Sequence, residues 1–189
     1  MVDKPPSDAP ERPAPLRRMP SLLMVNTGDG KGKSTAAFGT AMRAVARGWR
    51  VAVVQFLKSG AWNVGEEKVG RGLGIDWFAA GDGFTWDSAD LDESRAKAVA
   101  AWVFARDLIE RGEHQLVILD EATYPMTWGW IDTGDVVAAL IARPSQVTVI
   151  VTGRDAPEHL VDAADTVTEM RKVKHAYDAG IAARKGIDY

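Results

Sequence analysis

Thr27-Gly28-Asp29-Gly30-Lys31-Gly32-Lys33-Ser34-Thr35 decides the fold of this chain. It follows an apolar run, Leu22-Leu23-Met24-Val25, and precedes a helix-like run from Ala36 to Arg47, so it reads as strand, glycine-rich turn and helix N-terminus. That is the setting of a phosphate-binding loop. Glycines at 28, 30 and 32 open backbone conformations in which successive N–H groups converge on an anion, and the helix dipole adds to the attraction. Lys33 is placed to reach phosphates, and the Ser34 hydroxyl to ligate Mg²⁺, because Gly32-Lys33-Ser34 matches the end of the G-x-x-x-x-G-K-[ST] pattern. Thr27 stands where that pattern has its first glycine, so the start of the loop must differ from the usual form. A glycine-rich turn that binds nothing is the alternative, and two lysines among three glycines argue against it.

The 189 residues suit one domain with a substantial core, and 46% hydrophobic with 26% charged residues is a globular composition. A formal net charge of −3 argues against a nucleic-acid binder, which carries a basic surface. The chain has no cysteine, which excludes disulfides, thiolate metal sites and cysteine nucleophiles, so any metal must be held by oxygen or imidazole. No apolar run approaches the roughly 18 residues of a membrane-spanning helix, and no signal-peptide core is present. The expectation is a cytoplasmic protein with no membrane or nucleic-acid partner.

Residues 1–20 hold six of the nine prolines and read as a flexible arm, with a single domain over 21–189. The helix after the loop should stop at Gly48, and Arg50 to Leu57 is a continuous apolar run of the kind that fills a parallel strand covered on both faces. Strand, helix and strand make a βαβ unit whose ligand edge carries Gln55 to Gly60. Residues 61–87 are aromatic and glycine-punctuated, with a strand expected at Ile75 to Ala79 and a loop at Gly81 to Trp86. Phe84 and Trp86 there either anchor the loop to the core or offer flat apolar surface to a planar ligand.

Asp87 or Ser88 is a candidate cap for a long helix reaching Gly112, with Val99, Trp102, Val103 and Ile109 as its expected buried stripe. Leu116-Val117-Ile118-Leu119 then runs into Asp120-Glu121, read as the strand beside the loop with its acid pair aimed at Mg²⁺. Tyr124, Met126, Trp128 and Trp130 add aromatic surface near the same edge. A helix is expected from Thr133 to Arg143, a strand from Val147 to Thr152 that delivers Arg154 toward phosphate, a short helix over Glu158 to Ala164, and a last strand over Thr166 to Met170. His175, alone in a basic and then polar tail, reads as structural. The alternation specifies a doubly wound, mostly parallel α/β sheet of about five or six strands, with a Mg²⁺-nucleoside triphosphate at its carboxyl edge.

The loop, extended to Gly39, is similar to that of the P-loop class of ATP:corrinoid adenosyltransferases. Further matching blocks occur in order: Val53 to Lys58, Gly83-Phe84-Thr85-Trp86, Leu119-Asp120-Glu121, Val151-Thr152-Gly153-Arg154, Val173 to Gly180, and Gly186-Ile187-Asp188-Tyr189. The resemblance covers Ser21 to Tyr189 and departs from the family at the N-terminus, where a proline-rich arm stands in place of a helix that covers the corrinoid. It implies a P-loop NTPase-like, RecA-like fold in which Co(I) of a reduced corrinoid attacks C5′ of ATP and triphosphate leaves, in adenosylcobalamin biosynthesis or salvage. It implies the loop residues Thr27, Gly28, Asp29, Gly30, Lys31, Gly32, Lys33, Ser34 and Thr35, with Arg154, around the phosphates. Ser34 with Asp120 or Glu121 would hold Mg²⁺, or Mn²⁺ in its place, and Phe84 and Trp86 would face the corrin. A homodimer and a flavoprotein reductase are further implications. The rival readings are a P-loop kinase or NTP hydrolase acting on the γ-phosphate, and a regulatory nucleotide-binding module without turnover.

Overall fold

The computed structural model describes residues 16–57, 65–79 and 91–188. Six strands, β1 (Leu23–Thr27), β2 (Val51–Gln55), β3 (Asp76–Ala79), β4 (Leu116–Asp120), β5 (Thr148–Thr152) and β6 (Thr166–Glu169), form one sheet in the order β3-β2-β4-β5-β1-β6. Every neighbouring pair is parallel. Burial follows from composition. All five residues of β2, β4 and β5 are buried, as strands covered on both faces require, whereas β6, Thr-Val-Thr-Glu, is an exposed edge.

The pleat sorts the core into two layers. Val51, Val53, Leu116, Ile118 and Ile150 pack against Ala37, Phe38, Ala41 and Ala44 of α1 (Lys33–Val45). Ala52, Val54, Val117, Leu119, Val149 and Val151 face the opposite layer. That layer is made by α3 (Leu91–Arg111), α4 (Thr123–Thr127), α5 (Thr133–Ile141) and α6 (Glu158–Ala163). The architecture is the doubly wound α/β sheet expected from the sequence, with six strands.

Four local expectations need correction. Helix α1 begins at Lys33 rather than Ala36, so Lys33, Ser34 and Thr35 lie in its first turn, where a turn made at Gly32 delivers the chain already helical. Helix α2 (Gly65–Gly72) falls in a stretch taken as irregular; its three glycines mask helical periodicity. It survives because Gly70 lies flush on the Trp77 ring, where a Cβ would come within 2.8 Å, and because Arg71 bridges Glu67 at 2.9 Å. The α3 stripe is as expected at Trp102 and Ile109 and departs from expectation at Val99 and Val103. Ala98, Ala101, Trp102, Ala105, Leu108 and Ile109 are buried, while Val103 is 62% exposed and Val99 37% exposed. Small alanines make the contact with the sheet, and spacing alone does not say which residue of a repeat leads.

The fourth correction concerns the order of strands. Strand β4 does not lie beside β1; β5 stands between them, paired to β1 on one side and β4 on the other. Strand-ending sequence patterns report which residues reach the carboxyl edge, and carry no information on lateral order. The proposed arm up to residue 15, the aromatic segment with Trp62, Phe84 and Trp86, and the caps at Asp87 and Ser88 lie outside the described residues.

The α3 assignment makes a stability prediction. Truncating the buried Ile109 to Ala should cost about 2–5 kcal/mol, and truncating the exposed Val103 to Ala within about 0.5 kcal/mol. Chemical denaturation of the two variants checks this, and the opposite ranking would show that the helix presents its other face.

Candidate active site

Strands β1, β2, β4 and β5 end in polar groups at one carboxyl edge, and the loop after β1 is the tightest part of it. Gly32 caps α1 without a side chain, with φ 116°, and the Ala36 N–H donates to the Gly32 carbonyl at 2.8 Å as the first helical bond. The N–H groups of the first turn are thereby left without intrahelical acceptors and add partial positive charge. The loop is closed from behind by the chain leaving β6. The Met170 N–H donates to the Thr27 carbonyl at 2.8 Å, and the Gly30 N–H donates to the Met170 carbonyl at 2.5 Å. At Gly28 and Gly30 a Cβ would stand 2.5 and 2.7 Å from the Met170 carbonyl oxygen, so this approach demands glycine at both positions.

Thr27 is engaged rather than vacant space: its hydroxyl accepts a hydrogen bond from the Ala156 N–H at 3.1 Å, tying the loop to the chain after β5. Lys33 Nζ donates to the Gly28 and Gly30 carbonyls at 2.7 Å each, so two of its three protons stiffen the loop and one is left for a ligand. Burial pushes the Lys33 ammonium below the ordinary lysine range, and the neighbouring Arg154 guanidinium pushes the same way. The carboxylates of Asp29, Glu121 and Asp155 work against them. Lys33, Arg154, Asp29, Glu121 and Asp155 therefore form one electrostatic cluster, although they arrive from three parts of the chain. Ser34 is half-buried, and Thr35 and Arg154 are exposed.

Lys31 points elsewhere. Its Nζ bridges Asp188 Oδ1 at 2.8 Å, and the Asp188 carboxyl is held below its ordinary range by the Arg184 backbone N–H and then by Lys31. The C-terminal segment is thus docked on the loop. Nothing in the sequence marks this pairing; only the fold brings residues 31 and 188 together.

Asp120 and Glu121 sit in different environments. Asp120 is fully buried; its Oδ2 accepts from Gln55 Nε2 at 3.0 Å and its Oδ1 from the Thr152 hydroxyl at 2.7 Å. Gln55 Oε1 in turn accepts from the Trp77 indole at 2.9 Å. Glu121 is half-buried with φ 61°, a left-handed conformation that costs a non-glycine residue about 1–3 kcal/mol, and its N–H donates to the Thr152 hydroxyl at 3.0 Å. Of the two acids, Glu121 is the less buried, and its charge acts on Lys33. The sequence places Gln55 at the ligand edge without a role for its amide and gives Thr152 no role of its own; their polar side chains at the ends of otherwise apolar strands are the available signal.

Tyr124 belongs to the same corner. Burial raises its phenol above the ordinary range, with Arg154 acting against this and Glu121, Asp155 and Asp120 with it. It begins a ladder of rings, Tyr124 to Trp128 at 5.5 Å and Trp128 to Trp130 at 4.7 Å. Trp77 is a core residue, 4% exposed and 5.0 Å from Phe38. His175 accepts from the Tyr177 N–H at 3.1 Å and caps a short 3-10 turn, Ala176–Ala179. Among the described residues, no group of three or more histidine or acidic side chains stands ready to hold a metal. Beside the Asp29 and Asp155 carboxylates of the Lys33 cluster, the donors that the sequence assigns to a metal include the Ser34 hydroxyl and the Glu121 carboxylate. That sparse oxygen set fits Mg²⁺, which takes one or two protein ligands and completes its shell with phosphates and water.

Residues 20–189 match the profile of the family described as ATP:corrinoid adenosyltransferase BtuR/CobO/CobP. The chain is 44% identical over 168 residues to the corrinoid adenosyltransferase CobA of Salmonella typhimurium, covering 89% of this chain and 85% of that protein. It is 43% identical over 181 residues to a corrinoid adenosyltransferase of Pseudomonas aeruginosa, covering 95% and 89%. Among solved structures, the cytoplasmic domain of EssC superposes with a TM-score of 0.50 at 14% identity, covering 89% of this chain and 35% of that one, a likeness of fold alone. With a glycine loop closed on Lys33, an acid-ended strand and a match of this extent, the chain belongs to the ATP:corrinoid adenosyltransferase family.

Proposed function

We propose that this protein transfers the 5′-deoxyadenosyl group of ATP to Co(I) of a reduced corrinoid and releases inorganic triphosphate. The family match over residues 20–189 carries the reading, and the Lys33 cluster at the mouth of a phosphate loop supports it. The electron pair of Co(I) forms the cobalt–carbon bond, and the C5′–O bond breaks with its electrons on the departing triphosphate. The cobalt of the substrate is the nucleophile, so the protein needs none, in keeping with a chain that lacks cysteine. Family membership disfavours the rival reading, transfer of the γ-phosphoryl group.

The protein's work is orientation and charge neutralisation. Holding the two reactants in line is worth up to roughly 7–11 kcal/mol in favourable systems. The remaining proton of Lys33, the first-turn N–H groups of α1 and Arg154 would meet the triphosphate, whose negative charge compensates the partly desolvated ammonium. Thr27, Gly28, Asp29, Gly30, Gly32 and Thr35 would shape the cradle. Lys31 would contribute through its bridge to Asp188, which fixes the C-terminal segment against the loop. Ser34 and Glu121 would hold Mg²⁺, with Asp120 behind them in the sheet; the ion would offset triphosphate charge. Phe84 and Trp86 would wall the lower face of the corrin and exclude its axial ligand, which eases reduction of Co(II). A homodimer working in the cytoplasm with a flavoprotein reductase completes the proposal.

Three measurements test it. Phosphorus NMR during anaerobic turnover with chemically reduced corrinoid should show triphosphate equal to the adenosylated product; ADP and phosphate as main products would reject adenosyl transfer. Lys33→Ala should lose about ten- to hundredfold in kcat/KM, the size of a charge-assisted contact of about 1.5–3 kcal/mol. Wild-type kinetics in that variant would remove Lys33 from the phosphate site. Phe84→Ala and Trp86→Ala should cripple activity with a flavoprotein reductant, yet retain much of it when a strong chemical reductant supplies Co(I). Equal losses under both conditions would leave these aromatics a positioning role only.

A further inference from the structure

Because β5 separates β1 from β4, the strand that leads into Glu121 is not hydrogen-bonded to the strand that leads into the phosphate loop. The end of β5 stands between them, and Thr152 is the residue at that end. It is fully buried. A threonine hydroxyl has one proton to donate. Here that proton goes to Asp120 Oδ1 at 2.7 Å, and the oxygen accepts the Glu121 N–H at 3.0 Å. The first of these roles follows from Asp120 acting as a carboxylate acceptor, and the second is forced, since a backbone N–H only donates. The far side of the acid is equally determined. An indole N–H only donates, so the Gln55 amide must turn its oxygen to Trp77 and its nitrogen to Asp120 Oδ2.

The same strand end is fastened to the phosphate loop. The Gly153 N–H donates to the Asn26 carbonyl at 3.2 Å, and the Asn26 amide donates to the Lys33 carbonyl at 3.1 Å. The Thr152-Gly153 pair therefore joins Glu121 on one side to the first turn of α1 on the other. Glu121 has φ 61°, and its N–H is held by a hydroxyl that the buried Asp120 and Gln55 keep oriented.

We propose that Thr152 is a positioning residue for the Mg²⁺–triphosphate site, its hydroxyl fixing the turn that aims the Glu121 carboxylate, with Gln55 and Asp120 fixing the hydroxyl. This rests on the reading that Glu121 meets the metal. Valine has the shape of threonine and suits a buried strand, so Thr152→Val removes both hydrogen bonds and keeps the packing. Thr152→Ser keeps the hydroxyl.

The test is ATP binding by calorimetry on the full chain, with Mg²⁺ and with EDTA, beside far-UV circular dichroism. In Thr152→Val the tightening of ATP by Mg²⁺ should shrink by about ten- to hundredfold, the usual cost of losing a group that orients a metal ligand, with affinity in EDTA within about twofold of wild type. Thr152→Ser should keep most of the tightening. Should the valine variant fail to fold, Thr152→Cys, of similar size and weak in hydrogen bonding, is expected to show the same selective loss. Full Mg²⁺ tightening in the folded valine or cysteine variant, or a loss equal in Mg²⁺ and EDTA, would overturn the proposal. Glu121→Gln separates the two levels: if it loses the tightening while Thr152→Val keeps it, only the role of Thr152 falls. If Glu121→Gln keeps it, the metal reading falls and this proposal with it.

Discussion

An ammonium group held between two backbone carbonyls at the start of a helix is the interaction around which this carboxyl edge is built. Lys33 must give up part of its hydration to sit inside the loop, and its depressed pKa records that cost. The Gly28 and Gly30 carbonyls and three nearby carboxylates recover some of it. Arg154 adds to the positive charge instead of relieving it. Two cations and three carboxylates share this corner, and the first-turn N–H groups of α1 are the feature that favours an anion there.

Holding such a group demands that the loop be stiff, and the stiffness is supplied from a distance. The chain leaving β6 bonds to both ends of the loop through Met170, and the closeness of that contact restricts positions 28 and 30 to glycine. Asp188, at the other end of the chain, anchors Lys31. Several ion pairs elsewhere among the described residues are i,i+4 pairs on helices, such as Lys97 with Glu93 and Arg106 with Glu110, which contribute little to stability. The polar interactions that define geometry are the buried ones at the strand ends, where Trp77, Gln55, Asp120 and Thr152 link β3, β2, β4 and β5 in one line. Each member has its donors and acceptors matched to its neighbours, and such a network is costly to disturb at any one point.

The sequence by itself determined the class of sheet and the identity of the loop. Continuous apolar runs at Val51–Gln55, Leu116–Asp120 and Thr148–Thr152 have no amphipathic alternative, so they must be strands buried on both faces. The spacing of Gly32-Lys33-Ser34 after such a strand leaves little choice but an anion site at a helix N-terminus. Those features are local, and local residue types decide them. Phase and lateral order are not local. Val99 and Val103 repeat with the same helical period as Ala98, Ala101 and Ala105, and only packing against the sheet selected the alanines. The place of β5 between β1 and β4, the burial of Asp120 beside the more open Glu121, the bond from Thr27 to Ala156 and the bridge from Lys31 to Asp188 all join residues far apart in the chain. Tertiary structure decided them, because each depends on which strands and segments become neighbours, and that is settled by the whole core rather than by any stretch of it.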